Sequence, residues 1–155
     1  MDVETRGPQS SRDQLPLVVL DATDLPPVPE SVVLARRFTR ESLGAFGLSP
    51  DRMDGLVVAV SEAFTNAVEA HIARGVDGTV TVRCCAGVGD LTIEVVDHAG
   101  GGLDFAAWQR RPLLADGQQL GGERGWGIQL MLDLVDRAAF ESTPDGTVVR
   151  LVVAR

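Results

Sequence analysis

Cysteine is scarce in this sequence, and its placement excludes several kinds of site. The only two cysteines, Cys84 and Cys85, are adjacent, and neighbours on a strand point to opposite faces, so they cannot easily form a disulfide. No other Cys or His pair completes a metal site around them. We therefore expect one packed thiol and one partly exposed thiol, in a reduced, cytoplasmic setting.

Basic residues and long apolar runs are also limited. The chain has 14 Lys and Arg against 22 Asp and Glu, which gives a formal net charge of −8. Because an acidic chain repels phosphate backbones, we expect no direct nucleic-acid partner. There is no run of about 18 apolar residues, and no basic segment followed by an apolar one at the N-terminus. We therefore expect neither a membrane span nor a signal peptide.

The length of 155 residues suits one domain with one buried core. Residues 1–14 are polar without periodicity and are predicted to be a disordered tail, which leaves 15–155 as the domain. Apolar spacing predicts strands at 15–20, 79–84, 91–96, 138–141 and 147–153, and helices at 30–46, 50–74 and 128–135. Residues 21–29, which hold three prolines, are predicted to be a connector.

The long helix at 50–74 carries a first candidate site. Ser49 is a suitable N-cap, Pro50 suits the first helical position, and Gly75 suits the residue after the helix. Glu62 and Asn66 lie four residues apart and share a face. Their oxygens are of the kind that Mg²⁺ prefers, and the carboxylate can instead act as a general base. An ordinary solvated pair is the alternative reading of the spacing alone.

Asp97, at the end of the strand 91–96, is a second candidate. A carboxylate there can accept a hydrogen bond from an exocyclic amine such as that of adenine. The glycines at 100–102 let a flat ring approach the backbone. A plain turn started by Asp is the alternative.

A third candidate is the glycine-rich segment 121–127, which leads into the helix at 128–135. Free backbone N–H groups at a helix start favour phosphate, and Arg124 adds a positive charge. The segment is neither a P-loop nor a dinucleotide-binding fingerprint. A flexible loop before a helix is the alternative, although long loops often serve sites.

In this order, the three candidates resemble the nucleotide-binding fold of the histidine-kinase, gyrase B and Hsp90 ATPases. More narrowly, the chain resembles the stand-alone anti-sigma-factor serine kinases of bacterial partner switching. The strings 61–69 (SEAFTNAVE) and 125–128 (GWGI) carry most of the resemblance, which covers roughly 28–153. It implies an α+β two-layer sandwich of the Bergerat type, with a mixed, mostly antiparallel sheet covered on one face by helices and a mobile ATP lid.

The resemblance also implies roles for the candidate residues. Asn66 would bind Mg²⁺, Glu62 would take the proton from a protein serine, and Asp97 would bind the adenine amine. Thr147 matches a position near adenine.

Other implied roles concern the lid over the phosphates. Gly101, Gly125 and Gly127 would shape the lid, and Arg124 would lie near the γ-phosphate. Two positions depart from the family pattern. Ala99 stands where the first glycine after the Asp is expected. His71 lies five residues after Asn66 instead of four, and we expect it to be an exposed residue at the helix end.

The function implied by the resemblance is that of an ATP-dependent anti-sigma factor. Such a protein sequesters a sigma factor and phosphorylates a serine on an anti-anti-sigma antagonist, as a homodimer. A nucleotide-binding switch module without significant kinase activity is the competing prediction.

Overall fold

The structure is a computed structural model that describes residues 17–100 and 123–155. For residues 123–126 it describes the backbone only. The predicted tail at 1–14, most of the predicted lid and Gly101 lie outside the described residues. The elements in chain order are β1 (Val18–Leu25), α1 (Ser31–Leu43), α2 (Pro50–Arg74), β2 (Val80–Ala86), β3 (Asp90–Asp97), α3 (Glu123–Leu134), β4 (Arg137–Thr143) and β5 (Gly146–Ala154).

The five described strands form one antiparallel sheet in the order β1-β2-β3-β5-β4. Helix α2 packs on β2, β3 and β5, and lies against both α1 and α3. The core between the helices and the sheet includes Phe64, Ile93, Met131 and Leu151, which are all fully buried. The predicted α+β two-layer sandwich, with its helices on one face of the sheet, is confirmed.

Helix α2 has the ends that its flanking residues predict. The Ser49 hydroxyl accepts a hydrogen bond from the Arg52 backbone N–H, and Pro50 occupies the first turn. Gly75 takes the left-handed conformation at φ +61° and caps the last turn. By length and composition the helix could cross a membrane, but 61% of its most apolar window is buried inside the domain. It is therefore the core helix of this fold.

The end of strand β1 and the start of helix α3 differ from the positions that the local sequence predicts. Strand β1 continues to Leu25, because residues 21–25 pair with β2 from Asp21 opposite Cys84 to Leu25 opposite Val80. The connector predicted for residues 21–25 is therefore wrong. Helix α3 begins at Glu123, five residues before the predicted start at 128.

The thiols are also more enclosed than expected. Cys84 and Cys85 are free, and their exposed fractions are 0% and 1%. Burial raises the pKa of Cys84 to about 12. Cys85 lies on the face of the sheet away from the helices. Because β2 is an interior strand, Cys85 has a neighbour on each side, Val19 on β1 and Thr92 on β3. The prediction of one partly exposed thiol is wrong for that reason.

Asp136, between α3 and β4, joins the start of α2 to the end of β5. Its Oδ2 accepts a hydrogen bond from the Ala154 backbone N–H at 2.7 Å and pairs with Arg52. The Ala154 hydrogen bond is the main cause that holds the pKa of Asp136 below its ordinary 3.8, and Arg52 adds to it. Because the pKa is lowered by folding, this stabilisation is present above pH 3.8 and is lost as the pH falls through the folded-state value.

We expect Asp136→Asn to lower the free energy of unfolding at pH 7 by about 1 kcal/mol, since a charge-assisted hydrogen bond becomes a neutral one. The deficit should shrink as the pH falls below about 4, because the carboxylate of the unfolded wild type takes up a proton there, and it should vanish once the folded carboxylate is protonated too. Urea unfolding at several pH values measures both effects. Asp77→Asn, at an exposed loop position, is the control and should show no such deficit. A deficit that stays constant down to pH 2 would contradict the assigned role of the Asp136 charge.

Candidate functional site

The polar pair of α2 lies at the margin of its buried face. Glu62 and Asn66 are half-buried and one helical turn apart, and core residues lie between and beside them. Ala63 and Ala67 in that stretch are only 1% and 3% exposed. The two side chains therefore stand at the boundary between the core and the surface, where a ligand can reach them.

Asn66 has an unsatisfied polar group. Its Nδ2 atom is buried and has no hydrogen-bond partner among the described residues. Leaving a buried donor unpaired costs about 1–3 kcal/mol, so such atoms in folded proteins call for an explanation. An amide whose partner is a bound phosphate or metal-bound water supplies one. With the hard oxygens of Asn66 and Glu62 on the same face, the residues present fit a Mg²⁺–phosphate group.

Gly127 of α3 lies against Glu62. A Cβ atom added at Gly127 would lie 2.9 Å from Glu62 Oε2, which is closer than Cβ atoms normally approach an oxygen. The absence of a side chain at Gly127 thus lets α3 pass directly over the carboxylate. Gly125 and Gly127 were expected in the loop before this helix, but both lie within it. The prediction that these two residues lie in a loop is therefore wrong. A glycine within a helix lowers the stability of the helix by about 1 kcal/mol relative to alanine. At Gly127, the close approach explains that cost.

Asp97 and Thr147, fifty residues apart in the chain, lie side by side. Asp97 is the last residue of β3, and the β3–β5 register places Thr147 directly opposite it. Both are almost fully buried, with exposed fractions of 6% and 2%. Asp97 Oδ1 accepts a hydrogen bond from the Ala99 backbone N–H at 3.1 Å. The carboxylate is thereby held at the end of the sheet, and Ala99 has the position of a buried turn residue.

The turn between β4 and β5 closes over the residues that follow Asp97. Gly146 lies so near that a Cβ atom there would overlap the Asp97 carbonyl oxygen. Gly100, at φ +68°, approaches the Pro144 carbonyl oxygen in the same way. These contacts confine the backbone at 97–100 from one side. Nothing in the local sequence of either glycine indicated this approach.

The described site residues therefore form two groups. Glu62, Asn66 and Gly127 lie on the two facing helices, whereas Asp97 and Thr147 lie at the sheet end. Helix α2 packs against β3 and β5 and so connects the groups. Arg124 lies in the first turn of α3, but the structure does not describe its side chain. Gly101 lies outside the described residues.

His71 is not the exposed residue that we expected. It is 2% exposed, and both ring nitrogens have partners. The reason is its place on the apolar stripe of α2, where it follows Phe64, Ala67 and Val68 at helical spacing. That spacing was the signal in the sequence that should have placed His71 in the core.

Comparison with known proteins identifies the family to which this sandwich belongs. The family model described as the histidine kinase-like ATPase domain matches residues 25–153. The chain belongs to this family. No curated protein matches the chain in sequence.

Solved structures share the fold. One is that of the RsbU and RsbW domains of Rv1364c from Mycobacterium tuberculosis, with 21% identity and a TM-score of 0.63 over 86% of this chain. This chain spans about a third of that one, at 32% of its length. Another is the SiaB–SiaC complex from Pseudomonas aeruginosa, with 15% identity, a TM-score of 0.58, and coverage of 87% of this chain and 89% of the other.

We expect Gly146→Ala to destabilise the domain much more than Gly89→Ala. Both glycines have positive φ, which costs an alanine about 1–2 kcal/mol. Only at Gly146 does the added methyl also meet backbone, which should raise the loss by about 1–3 kcal/mol. Thermal unfolding of the two variants measures the difference. Equal losses would show that the β4–β5 turn does not press on Asp97.

Proposed function

We propose that this protein is an ATP-dependent anti-sigma regulatory factor that phosphorylates a serine on an anti-anti-sigma protein. The observation that carries the proposal is that Glu62 and Asn66 share a face of α2 and that Gly127 of α3 lies against Glu62. A carboxylate next to an unsatisfied amide, at the margin of the core, suits proton removal beside a bound phosphate.

The residues of the sheet end would hold the nucleoside. Asp97 Oδ1 is engaged by the Ala99 N–H, which leaves Oδ2 to accept a hydrogen bond from the adenine amine. Thr147, opposite Asp97, would add a hydroxyl close to the ring. The buried position of both residues supports recognition of a flat base there, because water competes poorly for buried polar groups.

The residues of the helices would hold the phosphates. Asn66 would bind Mg²⁺ through its amide oxygen, and the bound ion would neutralise phosphate charge. Arg124 and the backbone of Gly101, Gly125 and Gly127 are proposed to contact or cover the phosphates. The first-turn position of Arg124 and Gly125 in α3 supports this, since the start of a helix favours anions.

In the transfer step, the serine hydroxyl oxygen bonds to the γ-phosphorus of ATP while the bond from that phosphorus to the β,γ-bridging oxygen breaks. ADP is the leaving group. Glu62 accepts the hydroxyl proton, so its carboxylate ends the step protonated. The close approach of Gly127 to this carboxylate supports a fixed position for it, which phosphoryl transfer requires.

The partners are proposed from the resemblance to the anti-sigma-factor serine kinases. A sigma factor would bind when the antagonist is phosphorylated, and the protein would work as a cytoplasmic homodimer. The fold occurs elsewhere in a protein that has an RsbU and an RsbW domain, and in the complex of SiaB with SiaC. These likenesses support protein partners for this chain.

We expect Asn66→Ala to weaken binding of ATP in the presence of Mg²⁺ by tenfold or more, since the variant loses an oxygen ligand of the ion. Asn66→Asp is the matched control, because it retains an oxygen at the same place and should preserve the dependence on Mg²⁺. Calorimetric titration with and without Mg²⁺ measures both. Wild-type affinity in Asn66→Ala would remove Asn66 as the metal ligand.

We expect Glu62→Gln to bind ATP with near wild-type affinity but to lose phosphate transfer by about 100-fold or more, the usual contribution of a general base. Incubation with γ-labelled ATP and protein from the source organism, followed by mass spectrometry, should place the wild-type label on serine. Gly127→Ala, whose methyl displaces the flexible end of Glu62, should lower transfer similarly while the fold persists.

Two outcomes of this assay would contradict the proposal. Undiminished transfer by Glu62→Gln would exclude Glu62 as the base. Binding of ATP without any transfer by the wild type would instead identify a nucleotide-dependent switch module.

A further inference from the structure

His71 is a buried titratable residue to which the proposed transfer mechanism gives no task. It lies in the last turns of α2, is 2% exposed, and is one of two histidines in the chain. Burying a polar ring in a core is unfavourable unless its nitrogens are hydrogen-bonded. The partners of those nitrogens therefore indicate what the residue is for.

Each ring nitrogen of His71 has one backbone partner. Nδ1 lies 3.0 Å from the carbonyl oxygen of Val76, which only accepts, so Nδ1 carries a proton. Nε2 lies 3.2 Å from the backbone N–H of His98, which only donates, so Nε2 is the unprotonated acceptor. The two contacts together require the neutral ring with its proton on Nδ1.

The two partners belong to different parts of the fold. Val76 lies just after the end of α2, where its own N–H bonds to the His71 carbonyl oxygen. His98 directly follows Asp97, at the point where the chain leaves β3. The His71 ring therefore connects the end of the helix to the first backbone N–H beyond Asp97. The next N–H, that of Ala99, bonds to the Asp97 carboxylate itself.

We propose that His71 is a positioning residue for nucleotide recognition, which fixes the Asp97–Ala99 turn so that the Asp97 carboxylate faces the adenine amine. The inference rests on the proposed role of Asp97. The ring acts through the backbone and touches no nucleotide, because both of its nitrogens are already used. The β4–β5 turn confines this segment from one side through Gly146, and His71 holds it from the helix side.

Two amide variants separate the two hydrogen bonds. Glutamine at position 71 can place its oxygen near Nε2 and accept from the His98 N–H. Asparagine is shorter and can place its amide only near Nδ1, where it donates to the Val76 oxygen. We expect His71→Asn to weaken binding of ADP about tenfold and His71→Gln to stay within about threefold of wild type. Isothermal titration with ADP measures both.

A merely structural role predicts a different pattern. If His71 only fills space at the helix end, the affinities of the two variants for ADP should fall together or not at all. Either result would overturn the proposal. The unfolding temperature of each variant is measured beside its affinity, so that binding is compared only between folded proteins.

A second measurement uses the unaltered ring. In ¹⁵N NMR of the imidazole groups, His71 should show the neutral form protonated at Nδ1, the minor form of free histidine in water. The full-length His98→Ala variant retains the backbone N–H at position 98 and leaves His71 as the single histidine, which assigns the signal. A ring protonated at Nε2 would overturn the proposal even if His71→Asn failed to fold.

Asp97→Asn distinguishes failure of this inference from failure of the proposed function. The variant retains Oδ1 for the Ala99 N–H but turns a donor toward the adenine amine, so ADP should bind at least tenfold more weakly. Unchanged affinity in Asp97→Asn would overturn both the adenine site and the role of His71. Weak binding by Asp97→Asn beside normal binding by His71→Asn would overturn the role of His71 alone.

Discussion

The packing of α2 against both the sheet and the other two helices is the constraint on which the rest of the structure depends. The helix contributes Leu56, Val60 and Phe64, all with 0% exposure, to one continuous core. Burial of such side chains stabilises a fold by about 1.5–3 kcal/mol each, so the helix has little freedom to rotate about its axis. Its polar residues are thereby held in fixed directions. Glu62 faces α3, Asn66 lies at the margin of the core, and His71 reaches the end of β3.

The antiparallel register between β3 and β5 fixes the second group of site residues, Asp97 and Thr147. Asp97 and Thr147 share a face because β3 and β5 pair residue for residue from Asp90 to Asp97. A slip of one residue would move Thr147 to the other face of the sheet. The β4–β5 turn then presses on the Asp97 backbone through Gly146, a position at which a side chain has no room. The Asp97–Thr147 group is thus determined by strand pairing, whereas the group of Glu62, Asn66 and Gly127 is determined by helix packing.

Asn66 and His71, on the same helix, show how buried polar groups divide between ligand and scaffold. The amide nitrogen of Asn66 has no partner in the described part of the chain, so the fold bears a cost there that a ligand can remove. Both nitrogens of His71 are satisfied by backbone groups, so the ring stabilises the unliganded fold. The contrast supports a binding role for the first residue and a positioning role for the second.

Local signals in the sequence were enough to determine α2, its ends, the Glu62–Asn66 face and the alternating strands β2, β3 and β5, because capping and periodicity involve near neighbours only. The strand end made Asp97 a candidate, and the family resemblance added Thr147 as a separate one. Tertiary structure alone decided that these two are neighbours, that β1 extends to Leu25, and that Gly127 lies over Glu62 within a helix. Each depends on strand pairing or helix contact between distant segments, where the partner's position sets the energy. His71 falls between the two cases: its helical spacing indicated a core position that we did not predict, and only the fold shows that its ring reaches the backbone beside Asp97.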